Sequence, residues 1–134
     1  MIPVVLDTDT VSLFFRKNMG VVKNIETHLL HHGYIYLSVI TVYEVLNGLY
    51  WRDNKRNLNS FKAFVAANRV LSIEQETVEI AARNFADLRK RGITIGHNDV
   101  MIAACALQHN LELVTRNTKH FQHISHLQHS NWAE

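Results

Sequence analysis

Acidic side chains stand at three points where a strand is predicted to end or a helix to begin, and together they could form a catalytic site. Asp7 and Asp9 follow a short apolar run at positions 2–6. Glu44 lies in the predicted first turn of the helix after a second strand, and Asp99 lies in the first turn of a helix rich in small residues. Acids that lie on separate elements are typical of a site that the fold assembles.

Converging carboxylates repel one another, so they must either bind protons or share a cation. Asp7 and Asp9 are two residues apart, and in extended chain they would face the same side. Thr115 and Asn117 follow another apolar run and add a hydroxyl and an amide. Oxygen ligands without cysteine suit Mg²⁺ or Mn²⁺ rather than zinc. Such a cation can ionise a water and stabilise the leaving oxygen in phosphodiester hydrolysis.

Each acid also has a purely local explanation. Asp7 and Asp9 could form a turn, and Asp99 could simply favour the positive end of its helix. Glu44 fits a capping box with Thr41, because the stretch 41–44 has a threonine followed three residues later by glutamate. Thr115 and Asn117 could cap the turn that follows them, which leaves a non-catalytic binding module as an open alternative.

Composition indicates one globular domain over residues 1–134. Hydrophobic residues make up 47% of the chain and charged residues 19%, which excludes a disordered or low-complexity protein. The lone Cys105 excludes an intrachain disulfide framework. The N-terminal apolar run stops at Asp7, too early for a signal peptide, and no apolar stretch approaches the roughly 20 residues of a spanning helix. We therefore expect a cytoplasmic protein.

The hydrophobic pattern alternates between the two kinds of element. Strands are predicted at 2–6, 34–37, 70–73 and 111–115, with an edge strand at 126–128. Helices are predicted at 12–17, 21–31, 41–50, 54–68, 74–91 and 98–108, with a short turn of helix through 121. This order favours an α/β fold with a mainly parallel sheet flanked by helices, whose site lies beyond the carboxyl ends of the strands.

Four segments, in this order, carry a resemblance to a known family. They are VVLDTD at 4–9, SVITVYE at 38–44, NDVMIAA at 98–104 and LVTRN at 113–117. The set resembles the PIN-domain ribonucleases, and its order and spacing fit the VapC-type toxins. The resemblance spans nearly the whole chain and implies a PIN-like domain.

The resemblance also implies an activity, partners and roles for residues. It implies an endoribonuclease that depends on Mg²⁺ or Mn²⁺, is usually a homodimer and is held inactive by a VapB-like antitoxin. Asp7, Glu44 and Asp99 match the acids of the metal site. Asn117 occupies the position at which many PIN domains carry a fourth acid. The positions that support the site are matched by Asp9 and Thr115.

Two groups of basic residues could contact RNA phosphates, which supply much of the affinity for nucleic acid. Arg116 and Lys119 flank Asn117, next to the predicted site. A second group follows the helix of Glu44 and consists of Arg52, Lys55 and Arg56. The net charge of +2 neither requires nor excludes a nucleic-acid substrate.

The principal competing interpretation is a phosphatase. The stretch 6–11 also fits the DxDx[TV] pattern of haloacid-dehalogenase-like enzymes, with Asp7 as nucleophile and Asp9 as acid and base. That fold needs a Gly-Asp-x-x-x-Asp segment, which the chain lacks. A zinc site is disfavoured, because histidines that recur every third residue do not form a convergent tetrahedral set in a strand: His120, His123, His126 and His129. His97, two residues before Asp99, is the histidine best placed to touch a substrate.

Overall fold

The structure is a computed structural model that describes residues 1–133. Its centre is a five-stranded sheet in the order β3-β2-β1-β4-β5, with every pair of neighbours parallel. Each strand is only two or three residues long. Their bounds are β1 Val4–Leu6, β2 Tyr36–Ser38, β3 Arg69–Leu71, β4 Glu112–Val114 and β5 His129–Ser130.

Helices cover both faces of the sheet. They are α1 Thr8–Phe15, α2 Met19–His32, α3 Val39–Trp51, α4 Lys55–Ala67, α5 Gln75–Lys90, α6 His97–Gln108 and α7 Thr118–Phe121. Alternate residues of β1 point to opposite faces, so Val5 packs in the core with α5 and α6, whereas Val4 and Leu6 pack with α1 to α4. None of these helices within residues 1–133 is both long and apolar enough to cross a bilayer.

The α/β fold predicted from the sequence is confirmed, and the sheet is wholly parallel. The chain builds β1, β2 and β3 outward in one direction and then adds β4 on the other side of β1. The strand order therefore reverses between β1 and β4. Crevices at such a reversal, beyond the carboxyl ends of the strands, are where parallel α/β folds bind their ligands. Asp7 and Thr115 lie at this point, directly after β1 and β4.

Three predicted boundaries are wrong in ways that matter for the site. The first helix begins at Thr8 and not at position 12, because the Asp7 side chain accepts a hydrogen bond from the Thr8 backbone N–H and caps it. Asp7 and Asp9 are therefore not two residues of an extended segment. The helix α3 begins at Val39, because the Ser38 side chain caps it by accepting from the Ile40 N–H. The last strand lies at 129–130 rather than 126–128.

Candidate active site

Asp7 lies at the bottom of the site, with only 5% of its surface exposed. Its Oδ1 accepts from the Thr8 backbone N–H at 2.8 Å, and its Oδ2 accepts from the Thr115 hydroxyl at 2.8 Å. Burial, and next the negative charge of Asp9, raise the pKa of Asp7 to about 7. The surroundings therefore disfavour the charged carboxylate, and a nearby cation would reverse that preference.

Asp9 ties the first helix to the loop after β4. It lies in the first turn of α1, and its Oδ2 accepts from the Arg116 backbone N–H at 3.1 Å. The Thr10 hydroxyl lies 3.1 Å from both the Asp9 Oδ1 and the Val114 carbonyl oxygen. Burial raises the pKa of Asp9 above its ordinary value. Backbone and hydroxyl groups engage its oxygens, and the supporting role that the resemblance implies for Asp9 stays a prediction.

Glu44 lies in the second turn of α3, not in the first as the sequence pattern predicted. Its Oε1 accepts from the Thr8 hydroxyl at 2.6 Å, and its Oε2 accepts from the Asn98 side-chain amide at 3.3 Å. The capping-box explanation is therefore wrong, because Ser38 caps this helix. Glu44 instead joins the N-terminal parts of α1, α3 and α6.

Asp99 stands on the opposite wall, half-buried in the first turn of α6 as predicted. Burial raises its pKa, and the charges of Glu44 and Asp9 raise it further, whereas His120 lowers it. A cavity of about 400 Å³ lies between the two walls and is lined by Glu44, Gly96, His97, Asn98 and Asp99. The charges of carboxylates on separate elements therefore affect one another's pKa values, as expected of acids that converge.

Asn117 lies at the start of α7, but its side chain does not cap that helix. Its backbone N–H donates to the Thr115 hydroxyl oxygen at 2.9 Å, which holds that hydroxyl in place to donate to Asp7. Its side-chain Nδ2 lies 2.7 Å from the Nδ1 of His120. Arg116, on the loop after β4, and Lys119, in α7, are both exposed.

Sequence reasoning missed three contributors to the site. Thr8 bridges Asp7 and Glu44, Asn98 holds Glu44, and His120 faces both Asn117 and the charge of Asp99. Thr8 and Asn98 are each next in sequence to a predicted acid, and this neighbourhood could have identified them as site residues. His120 offered none, because its position depends on the turn that begins α7.

The donor set fits a divalent cation, although no three His, Cys, Asp or Glu side chains of residues 1–133 already surround one point. The pKa values of Asp7 and Asp99 are raised by burial and by neighbouring carboxylates, so a positive ion would stabilise both. The candidate donors are all oxygens, which hard cations such as Mg²⁺ prefer. Asp7, Glu44 and Asp99 are therefore suited to hold one such ion.

We expect Glu44→Gln to lower RNA cleavage by about 100-fold with a melting temperature close to that of the wild type. Glutamine keeps an oxygen that can accept from Thr8, but it removes the charge that a cation would need. Rates at saturating Mg²⁺ and thermal unfolding measure the two effects. Glu79→Gln, in an exposed ion pair on α5, is the matched control and should cleave normally. Normal cleavage by Glu44→Gln would leave the residue a purely structural bridge.

Comparisons with known proteins identify the family of the chain. The PIN-domain sequence profile matches residues 4–127. Ribonuclease VapC1 of Rickettsia felis is 35% identical over 102 residues, which cover 73% of this chain and 76% of that protein. The tRNA(fMet)-specific endonuclease VapC of Shigella flexneri is 28% identical over 134 residues, covering 99% of this chain and 100% of that protein.

A solved structure supports the same assignment at the level of the fold. The crystal structure of VapBC2 from Rickettsia felis bound to a DNA fragment from their promoter superposes with a TM-score of 0.88 and 25% identity. The match covers 98% of this chain and 99% of that chain. The haloacid-dehalogenase-like alternative finds no support in these matches. The chain belongs to the PIN-domain family, and within it the chain is similar to the VapC ribonucleases.

Proposed function

We propose that this chain is an endoribonuclease that depends on Mg²⁺ or Mn²⁺ and serves as the toxin of a toxin–antitoxin pair. The observation that carries the proposal is the buried Asp7 carboxyl, which is joined through Thr8 to Glu44 and whose pKa is raised by burial and by the charge of Asp9. Perturbed carboxyls that meet in a crevice are typical of catalytic sites. The similarity to VapC ribonucleases supports RNA as the substrate.

Asp7, Glu44 and Asp99 would hold the cation, and Thr8 and Thr115 would orient two of these carboxylates through the hydrogen bonds described above. When bound, the ion supplies an ionised water and offsets the charge that develops on the phosphate. The neutral amide of Asn117 adds no fourth charge at the site, which favours one cation over two.

Arg116 and Lys119 are our candidates for contacts with the RNA backbone close to the cleaved bond. Both side chains are exposed, Arg116 on the loop after β4 and Lys119 in α7, and the Arg116 backbone N–H donates to Asp9. Guanidinium and ammonium groups bind phosphates without reading the base sequence. These residues therefore support RNA binding in general and carry no prediction about which RNA is cut.

A VapB-like antitoxin is the protein partner we propose. A groove of about 1000 Å³ runs between α1, α2 and α4, and Met19 in it is 77% exposed. Exposed apolar surface of this kind marks protein contacts. The rim carries Lys17, Lys23 and Arg56 against the single acid Glu26, so it fits a partner segment with acidic residues.

We also propose that the protein is a homodimer that acts in the cytoplasm. A symmetric dimer needs one patch that is complementary to itself. The outer face of α3 carries exposed aromatic residues suited to this role, among them Trp51 with 88% of its surface exposed, together with Tyr43 and Tyr50. Aromatic residues are enriched at such interfaces.

The test is cleavage of a defined RNA by the purified chain. Because a relative is named for tRNA(fMet), this tRNA is the first substrate to use. We expect cleavage with Mg²⁺ or Mn²⁺, complete loss in EDTA, and no turnover of p-nitrophenyl phosphate. Phosphomonoester hydrolysis that survives Glu44→Gln, with both tRNA(fMet) and total RNA left intact, would contradict the proposal.

A further inference from the structure

Two arginines line one small cavity away from the acids. Arg16 follows the last residue of α1 and Arg52 follows the last residue of α3. Both side chains line a cavity of about 110 Å³ that α4 closes from below. Ser12 and Asn57 add polar groups to its wall. Two guanidinium groups with polar neighbours around one cavity form a site suited to an anion.

Within residues 1–133, neither arginine forms an ion pair with a carboxylate. The ion pairs within residues 1–133 are Arg83 with Glu79 and Arg91 with Asp87, all on or next to α5. Each of the two unpaired arginines stands at the C-terminal end of a helix, where a positive charge is favourable. That explains one cation at each helix end, but it does not explain why both line the same cavity.

The cavity and the acids lie along the same two helices. The helices α1 and α3 both begin at the site, where the Thr8 hydroxyl bonds to Glu44. The guanidinium of Arg52 folds back over Gly48, so that a Cβ at Gly48 would lie 3.4 Å from its Nη1. Gly48 is four residues after Glu44, which is roughly 6 Å along the helix axis.

We propose that Arg16 and Arg52 together bind one phosphate of the RNA, a short way along the strand from the phosphodiester that is cleaved. The inference rests on the proposed ribonuclease function. A phosphate suits the site because it accepts forked hydrogen bonds from more than one guanidinium at once. The rest of the cavity wall is apolar and includes Phe15 and the buried Phe61.

The experiment measures binding of a fluorescein-labelled, single-stranded RNA dodecamer by anisotropy in EDTA, so that no cleavage occurs. Arg16→Gln and Arg52→Gln should each weaken binding about tenfold. The fold-loss of RNA affinity in the double variant should be smaller than the product of the two single fold-losses, because both side chains bind the same phosphate. In the variants, the slope of log K against the logarithm of the salt concentration should be smaller in magnitude than in the wild type by about 0.7, because one phosphate contact is lost. Arg83→Gln, on the exposed face of α5, is the control and should bind like the wild type.

A second readout separates this inference from the ribonuclease function itself. With tRNA(fMet) and Mg²⁺, the two glutamine variants should raise KM and leave kcat unchanged, because the arginines hold a phosphate other than the one that reacts. Arg16→Lys should restore only part of the binding, since lysine keeps the charge but not the fork. If both glutamine variants of an active enzyme bind RNA as tightly as the wild type, the phosphate site is overturned and the ribonuclease function is not. The arginines would then be assigned to a contact with a protein partner. A wild type that neither binds nor cleaves RNA would overturn both.

Discussion

Asp7→Asn is expected to lower RNA cleavage by at least about 100-fold at saturating Mg²⁺. Asparagine has the same shape and remains a good N-cap. Its Oδ1 can therefore accept one of the two hydrogen bonds that Asp7 receives, from the Thr8 N–H or the Thr115 hydroxyl. What disappears is the charge, and with it the strongest attraction for a cation at the bottom of the site. Cleavage rates with titrated Mg²⁺ measure the loss.

The stability of the same variant distinguishes loss of charge from loss of fold. Burial and the charge of Asp9 disfavour the carboxylate of Asp7, so Asp7→Asn should unfold in EDTA at an equal or higher temperature than the wild type. Asp99→Asn should behave alike, because burial and Glu44 raise its pKa. Asp87→Asn, in an exposed ion pair, is the control and should cleave normally. Full activity in Asp7→Asn or Asp99→Asn would refute the proposed metal site.

The sequence was sufficient to predict that polar groups follow the strands of a parallel sheet, because that depends only on the order of the elements. A buried run followed by Asp7, and a run followed by Thr115, must be adjacent if the strand order reverses between them. The role of Glu44 could not be decided in the same way. Its helix begins at Val39, two residues before the predicted start at position 41, and only the cap at Ser38 shows this.

The predicted helix starts were wrong where a single side chain caps the helix, because the hydrophobic period of a sequence carries no information about caps. The segment after β1 contains few apolar residues, so its first turn had no helical signal, yet Asp7 caps it through the Thr8 N–H. The positions of His120 and Asn117 depend on the four-residue helix α7. Elements this short carry too few residues for a period to show.

The stability of the metal-free protein should fall as the pH rises from about 4 to about 7. The pKa of Asp7 is raised from its ordinary value of 3.8 to about 7 in the folded protein. Between these values the folded state holds a proton that the unfolded chain has released, so unfolding becomes easier as the pH increases. A shift of this size corresponds to about 4 kcal/mol, as an order of magnitude. Asp9 and Asp99 act in the same direction.

Urea unfolding in EDTA at about pH 5 and about pH 8 measures the effect in the wild type and in Asp7→Asn. The wild type should lose several kcal/mol between the two conditions, and the variant should lose clearly less, because asparagine does not titrate. Mg²⁺ binds the charged carboxylates, so it should stabilise the wild type much more at the higher pH, by mass action. Asp87→Asn should keep the wild-type dependence on pH, since Asp87 is exposed. Equal pH dependence in the wild type and Asp7→Asn would show that Asp7 is ionised across this range, and would remove the electrostatic reason for a cation beside it.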